Sequence, residues 1–257
     1  MEYPTVNYSV SGGIATIELN RPEVLNAFNN ELRTNLQHAL QRVAEDPEAG
    51  VVLLTGAGKG FCSGADLSTL GTLSVVENLV VNYKNMIGQI SRMDKPVIAA
   101  IEGAAAGIGA AFALAADLSV MAEDAALVQA FSNIGLVPDG GICWHLVQEL
   151  GYKRAYQLII EAERLPAARC LELGLTNRVV AKGEALDEAR AWAGRLLQRP
   201  PLSLAFSKQV LRDAVDLSLD QTVIREAEYQ HRAIGSEDFR EGVAAFREKR
   251  KPVFRGY

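Results

Sequence analysis

Two short apolar runs, Val51-Val52-Leu53-Leu54-Thr55 and Val97-Ile98-Ala99-Ala100-Ile101, each lead straight into a glycine-rich turn. Runs of this length and composition read as buried strands. The first turn is Gly56-Ala57-Gly58-Lys59-Gly60-Phe61-Cys62-Ser63-Gly64-Ala65-Asp66-Leu67. The second is Glu102-Gly103-Ala104-Ala105-Ala106-Gly107-Ile108-Gly109, opening a small-residue helix from Gly107 to Ala116. Such turns offer backbone N–H groups to an anion, and a helix that starts there adds its dipole.

Two phosphate-binding readings fail on the letters. A dinucleotide turn needs a third glycine, but Phe112 follows Gly107-Ile108-Gly109 and Phe61 follows Gly56-Ala57-Gly58. A phosphate loop needs Ser or Thr after Gly-Lys, and here Gly58-Lys59 is followed by Gly60. Each glycine on its own also reads as a tight turn or a close packing point.

Around these turns the pattern alternates between strand and helix. Ile14 to Leu19 predicts a strand entered through Gly12-Gly13. Leu32, Leu36, Ala39, Leu40 and Val43 recur at helical spacing until Asp46-Pro47. Residues 74–93 read as a helix, Leu118 to Met121 as a third strand, and Asp139-Gly140-Gly141 as the opening of a helix to about Leu150. A further helix–strand pair reaches Val180. From Glu184 onward helical periodicity dominates, with a break at Pro200-Pro201. The expectation is an α/β (α+β) core over 1–195 and a helical C-terminal region over 196–257.

Composition narrows the partners. A net charge of −5 over 257 residues argues against a nucleic-acid binder. No apolar run reaches the roughly 20 residues of a membrane span. Cys62, Cys143 and Cys170 have no paired spacing and read as free thiols in a reducing compartment. The start Met1-Glu2-Tyr3-Pro4 lacks the features of a secretory signal, which gives a cytoplasmic expectation. No histidine pair has metal-ligand spacing, and Ser63 lacks a nucleophile-elbow context. His38 and His231 read as surface or interface residues, His145 as a packing residue, and Glu77 as a solvated one. Tyr83 lies on a helix that could border a pocket.

Several blocks, in order, are similar to a known family. Leu25-Asn26-Ala27-Phe28 after Asn20-Arg21-Pro22, Lys59 to Leu67, Lys95 to Gly109, Gly135-Leu136-Val137-Pro138-Asp139-Gly140-Gly141, and Ala168 to Val179 resemble the crotonase (enoyl-CoA hydratase/isomerase) superfamily. The resemblance spans nearly the whole chain. It implies a spiral of ββα units, a helical C-terminal oligomerisation region, and homotrimers or hexamers. It implies an acyl-CoA thioester substrate, with coenzyme A part of that substrate and no separate cofactor or metal. The family's two oxyanion-hole amides map onto Ala65 and Ile108, the second where glycine is usual. Leu25, Ala27, Ser63, Gly64, Asp66, Leu67, Gly107, Phe131, Leu136 and Pro138 map onto the substrate-binding surface. C-terminal basic residues such as Arg247, Lys249, Arg250 and Lys251 read as a solvated tail or, by the resemblance, as contacts for the CoA phosphates.

The reaction depends on the acid/base groups. The family's two hydratase glutamates map onto Ala111 and Phe131, so neither carboxylate is present. Asp139 remains, at the position where isomerase-like branches carry their acid. The expected activity is therefore a C=C shift in an enoyl-CoA, from 3-enoyl to 2-enoyl or on a ring-type substrate. Asp139 would take a proton from C2 and return it at C4. Phe131, Leu136 and Val137 are expected to raise its pKa. Asp139 ahead of Gly140-Gly141-Ile142 is equally readable as a helix N-cap. A hydratase using other residues and a non-catalytic acyl-CoA-binding paralogue are the alternatives.

Overall fold

The structure, a computed structural model, describes residues 3–69 and 74–256. Met1 and Glu2 of the start read above lie outside the described residues, as does Tyr257. Six strands form the main sheet in the order β1-β2-β3-β4-β6-β9: β1 (Val6–Ser11), β2 (Ile14–Leu19), β3 (Val51–Gly56), β4 (Val97–Ile101), β6 (Leu118–Ala122) and β9 (Arg178–Val180). β1 and β2 form an antiparallel hairpin across Gly12-Gly13; all later pairings are parallel. A second sheet holds β5 (Ala104–Ala106), β7 (Ala126–Val128) and β8 (Arg164–Pro166).

The uninterrupted apolar letters of β3 and β4 follow from cover on both faces. Val52 and Leu54, with Val97, Ala99 and Ile101, face the larger core. Val51, Leu53, Ile98 and Ala100 face a smaller core closed by Ala185, Ala189 and Ala193. Those alanines lie on one side of α8 (Ala185–Leu196) and let that helix lie close against the sheet. Glu102 ties this layer to the turn after β4, its carboxylate accepting from Gly183 N at 3.1 Å and Ala185 N at 3.0 Å.

The helices of the spiral follow the strands. α1 (Asn30–Glu45) starts where the Asn29 side chain accepts from Leu32 N at 2.8 Å, and it buries Leu32, Leu36, Ala39, Leu40 and Val43. The segment expected as one helix over 74–93 is divided into α2 (Val75–Glu77), a π-helical stretch Asn78–Tyr83 and α3 (Lys84–Arg92). α4 (Ile108–Ala115) is buried on nearly every side, which its small residues permit. α5 (Ile142–Leu150), α6 (Tyr152–Ile160) and α7 (Ala167–Glu172) follow.

The C-terminal helices are α9 (Pro201–Ala214), α10 (Leu219–Ile234) and α11 (Glu237–Glu248). α9 is fastened by one buried cation. Lys208 Nζ donates to Ile90 O at 2.9 Å and Lys95 O at 3.1 Å and pairs with Asp117 at 2.7 Å. A buried ammonium is tolerated only with such a full set of partners. Among the described residues no helix is long and apolar enough to cross a membrane.

Candidate active site

The two glycine-rich turns meet edge to edge. Cys62 N donates to Ala104 O at 3.1 Å and Ala106 N to Cys62 O at 2.8 Å, so the turn after β3 runs as a parallel bridge alongside β5. Both chains then bend at glycines with left-handed φ, +102° at Gly64 and +51° at Gly107. These conformations favour glycine at both points, and at Gly64 the space is tight as well. A Cβ on Gly107 would lie 3.6 Å from Gly64 Cα, and one on Gly64 would lie 3.2 Å from Ala106 O.

The residues after these two glycines are Ala65 and Ile108. Phe28 N donates to Gly64 O at 2.8 Å and Asp66 N to Phe28 O at 2.9 Å. That parallel bridge uses the groups flanking Ala65, which leaves the Ala65 N–H on the other side of the strand. Ile108 is the first residue of α4, where an amide has no acceptor inside the helix. Among the described residues neither amide donates a hydrogen bond.

The first turn is held from behind by Asn26, which is fully buried and, like Leu25, left-handed (φ +58° and +52°). Asn26 Nδ2 faces Ala57 O, Gly60 O and Phe61 O at 3.0, 2.9 and 3.2 Å, and its Oδ1 accepts from Arg21 N at 2.8 Å. Its carbonyl accepts from Cys62 Sγ at 3.1 Å. Asn26 is a positioning residue that the sequence reading quoted but assigned no role, naming its neighbours Leu25 and Ala27 instead. The available signal was an asparagine amid apolar letters, the residue type that best tolerates a left-handed backbone.

The other expected substrate-binding residues divide by exposure. Ala27 and Gly64 are buried; Leu25, Ser63 and Leu67 are exposed. The Ser63 hydroxyl donates to Val24 O at 3.2 Å. The Asp66 carboxylate accepts from Ser68 Oγ at 2.6 Å and pairs with Arg21 at 3.1 Å. Ser68 and Arg21 hold it below the usual carboxylate range. Phe131 is buried with its ring tip 3.7 Å from where a Gly107 Cβ would stand, so it walls the second turn. Ala111, the other position where a glutamate was looked for, is fully buried on α4.

Asp139 lies in the loop between Pro138 and α5. It is not the helix N-cap: that position is Gly141, and no side chain caps it. Its own Oδ1 is buried without a hydrogen-bond partner. Burial pushes its pKa up to about 6. Of the neighbours expected to supply that burial, Phe131 is buried, whereas Leu136 and Val137 are 53% and 80% exposed; Pro138 is half-buried. The loop also packs against helices. A Cβ on Gly140 would lie 2.6 Å from both Ala111 Cβ and Ile108 Cδ1, and 3.3 Å from Ile87 Cδ1. The Asp139–Gly140 turn therefore sits on the first turn of α4, against the Ile108 and Ala111 side chains.

His145, one turn into α5, packs edge-on against Trp144. Burial, then the charge of Arg212, holds its pKa down at about 4, so it is neutral near pH 7. Of the C-terminal basic residues, Arg250 is engaged within the chain, pairing with Glu241 and Glu248.

Comparison with known proteins places this architecture. Residues 9–257 match the profile of the family described as enoyl-CoA hydratase/isomerase. The chain is 40% identical over 258 residues to a probable enoyl-CoA hydratase of Rhodobacter capsulatus, with both proteins covered over their full length. It is 38% identical over 253 residues to the 1,2-epoxyphenylacetyl-CoA isomerase of Escherichia coli, covering 96% of this chain and 97% of the relative. Among solved structures, an enoyl-CoA hydratase from Polaromonas sp. JS666 superposes with a TM-score of 0.92 at 36% identity, over 97% of this chain and 99% of that one.

Proposed function

The chain belongs to the enoyl-CoA hydratase/isomerase family, and from that premise we propose that it is an isomerase which shifts a C=C bond in an enoyl-CoA thioester through an enolate. The observation that carries this reading is Asp139, a half-buried carboxyl with an unpartnered oxygen, packed beside the start of α4 while Ala111 and Phe131 offer no second carboxylate.

The Ala65 and Ile108 amides serve as the oxyanion hole. Both are free donors on turns that touch, and the Ile108 amide opens a helix whose dipole favours negative charge. They stabilise charge on the thioester oxygen as the C2–H bond breaks; one such donor contributes about 10²–10³ in rate. Asp139 takes the C2 proton, electrons move through the dienolate, and the same carboxyl returns the proton at C4. A pKa of about 6 suits this work: the group is ionised near pH 7 yet basic enough to accept a proton. Adding water would need a second carboxylate to activate it, and none stands at Ala111 or Phe131. The ring-type substrates of the sequence reading gain support from the likeness to the E. coli isomerase. The exposed apolar residues Leu219, Ile224 and Phe246 on the C-terminal helices support self-association, with a homotrimer or hexamer as the expected species.

The test is turnover of 3-enoyl-CoA and of crotonyl-CoA by wild type and Asp139→Asn. Isomerisation lost in the variant supports the reading. Hydration of crotonyl-CoA at hydratase-like rates, or CoA-ester binding with no turnover on a broad thioester panel, would replace it.

A further inference from the structure

A single carboxyl that must serve two carbons needs something to hold it, and the Asp139 side chain has an unpartnered oxygen. We propose that Tyr83 is the positioning residue of this site: once an acyl-CoA closes it, the Tyr83 phenol hydroxyl donates to the Asp139 carboxylate and fixes which oxygen faces the acyl chain. The inference rests on Asp139 being the acid/base group.

The placement comes from the helix. Tyr83 closes the π-helical stretch Asn78–Tyr83 and stands four residues before Ile87. Residues four apart on a helix share a face. Ile87 is the residue on which the Asp139–Gly140 turn rests, 3.3 Å from where a Gly140 Cβ would stand. The Asp139 loop thus lies on the helix face that carries Tyr83. A π-turn interrupts that helix at this point, and such turns are frequent at functional sites.

The Tyr83 ring is buried and held edge-on by two others, Phe28 at 6.1 Å and 79° and Phe112 at 6.4 Å and 88°. Phe28 bridges to Ala65, and Phe112 lies one turn after Ile108, so the ring is wedged beneath both turns. Phenylalanine would fill that space equally well, and a buried hydroxyl needs partners.

Its partners leave one proton uncommitted. The Asn78 side chain faces the Tyr83 hydroxyl and favours its ionised form, against the larger rise from burial. Asn78 Oδ1 already accepts from Arg33 Nη1 at 3.2 Å and Asn82 Nδ2 at 3.3 Å. With both lone pairs taken, Asn78 meets the phenol through its own N–H, as donor. The Tyr83 oxygen is then an acceptor, and its proton is free to be donated onward. Asp139 Oδ1 is the buried acceptor without a donor. The two groups also sense each other electrically. Burial chiefly raises the Tyr83 pKa, and the Asp139 charge adds to that rise. Asp139 Oδ1 accepts no hydrogen bond in this structure, so the bond is one that forms when substrate closes the site.

The other groups facing this region do not compete. Cys62, on the first turn, is a buried thiol pushed up to about 12. His145, on α5, is neutral near pH 7. Arg33, on α1, is spent on Asn78. Ile87, Ile108 and Ala111 supply only apolar surface. During turnover Tyr83 keeps its proton: one Asp139 oxygen carries the proton from C2 to C4 while the other stays anchored.

Tyr83→Phe retains the ring and removes the donor. A hydrogen bond to a carboxylate lowers its pKa, so removing the donor raises it. In carboxyl ¹³C NMR titration of the whole protein saturated with a non-isomerisable acyl-CoA, with the Asp139 signal identified by its absence in Asp139→Asn, the midpoint should move upward in Tyr83→Phe. The acidic limb of kcat should move with it, and kcat at pH 7 should fall about tenfold with KM nearly unchanged. Incorporation of 3-fluorotyrosine at position 83, a stronger donor of nearly the same shape, should move midpoint and limb downward. If both replacements leave the midpoint and limb at their wild-type positions, Tyr83 only packs and the proposal is overturned. Should Asp139→Asn itself isomerise at the wild-type rate, the reading of the site fails first; a dead Asp139→Asn beside a wild-type Tyr83→Phe removes this inference alone.

Discussion

The two turns that carry Ala65 and Ile108 and the loop that carries Asp139 are built on opposite plans. The turns are over-determined: a parallel bridge joins them, Phe28 pairs across one, and Asn26 makes contacts behind it. The Asp139 loop is held by packing of Gly140 on Ile87, Ile108 and Ala111, and its carboxyl oxygen Oδ1 has no partner. Amides that only need to be present at fixed points are served by rigidity. A group that must gain and lose a proton is served by removing its competing partners, and the folded state bears the cost of leaving it unsatisfied.

The sharpest way to break that contrast is Asp139→Asn. Isomerase kcat is expected to fall by about 10³–10⁴, at the upper range for a positioned acid/base, as measured with a 3-enoyl-CoA. A variant within tenfold of wild type would make the carboxyl dispensable.

The next effect separates backbone from side chain. Ile108 is the first residue of its helix, where proline is tolerated because the N–H has no helical acceptor. Ile108→Pro deletes the amide hydrogen and is expected to lower kcat by about 10²–10³. Ile108→Ala loses more side chain but keeps the amide and should stay within about tenfold of wild type. Equal losses in the two variants would assign the effect to packing rather than to the donor.

Asn26 tests the rigid half. Asn26→Ala leaves Arg21 N and the 57–61 carbonyls without their partner, and a loss of about 3 kcal/mol is expected in denaturant unfolding.

The smallest effect runs in the opposite direction. The Asp139 pKa is raised on folding, so the folded state favours the protonated form. Ionisation therefore costs stability above about pH 6, and that cost fades as pH falls toward about 4. Asp139→Asn should be more stable than wild type at pH 8 by about 1–2 kcal/mol, with the two converging near pH 4. Unfolding curves at both pH values check the sign; an Asn variant less stable at pH 8 would mean that the carboxylate has partners after all.

Much of this was legible in the letters, and the exceptions have physical causes. β3 and β4 were readable because strands covered on both faces carry unbroken apolar runs. β5, β7 and β8 are three residues each, too short for any period to register. β1, with polar residues at alternate positions, was missed as the outer partner of β2. Ala65, Ile108 and Asp139 were proposed as site residues through the resemblance of their blocks rather than through composition. Whether Asp139 caps a helix could not be read, because the answer lies in the left-handed angles of Gly140 and Gly141, which move the helix start two residues onward. Phe131, Leu136 and Val137 were expected to bury that carboxyl; Phe131 is buried but Leu136 and Val137 are exposed. The adjoining Gly140 packs on residues of α3 and α4, a long-range contact that no local pattern reveals.

The contact between Gly64 and Gly107 sets a limit on how this pocket can be re-engineered. Both glycines are left-handed and a Cβ on Gly64 would press on Ala106 O at 3.2 Å, so the spacing of the two turns is set by the backbone itself. Leu136 and Val137 are solvent-facing, whereas Phe131 abuts the Gly107 side of the seam between the turns. Under the proposed reading, library design for altered acyl preference belongs first at Leu136 and Val137.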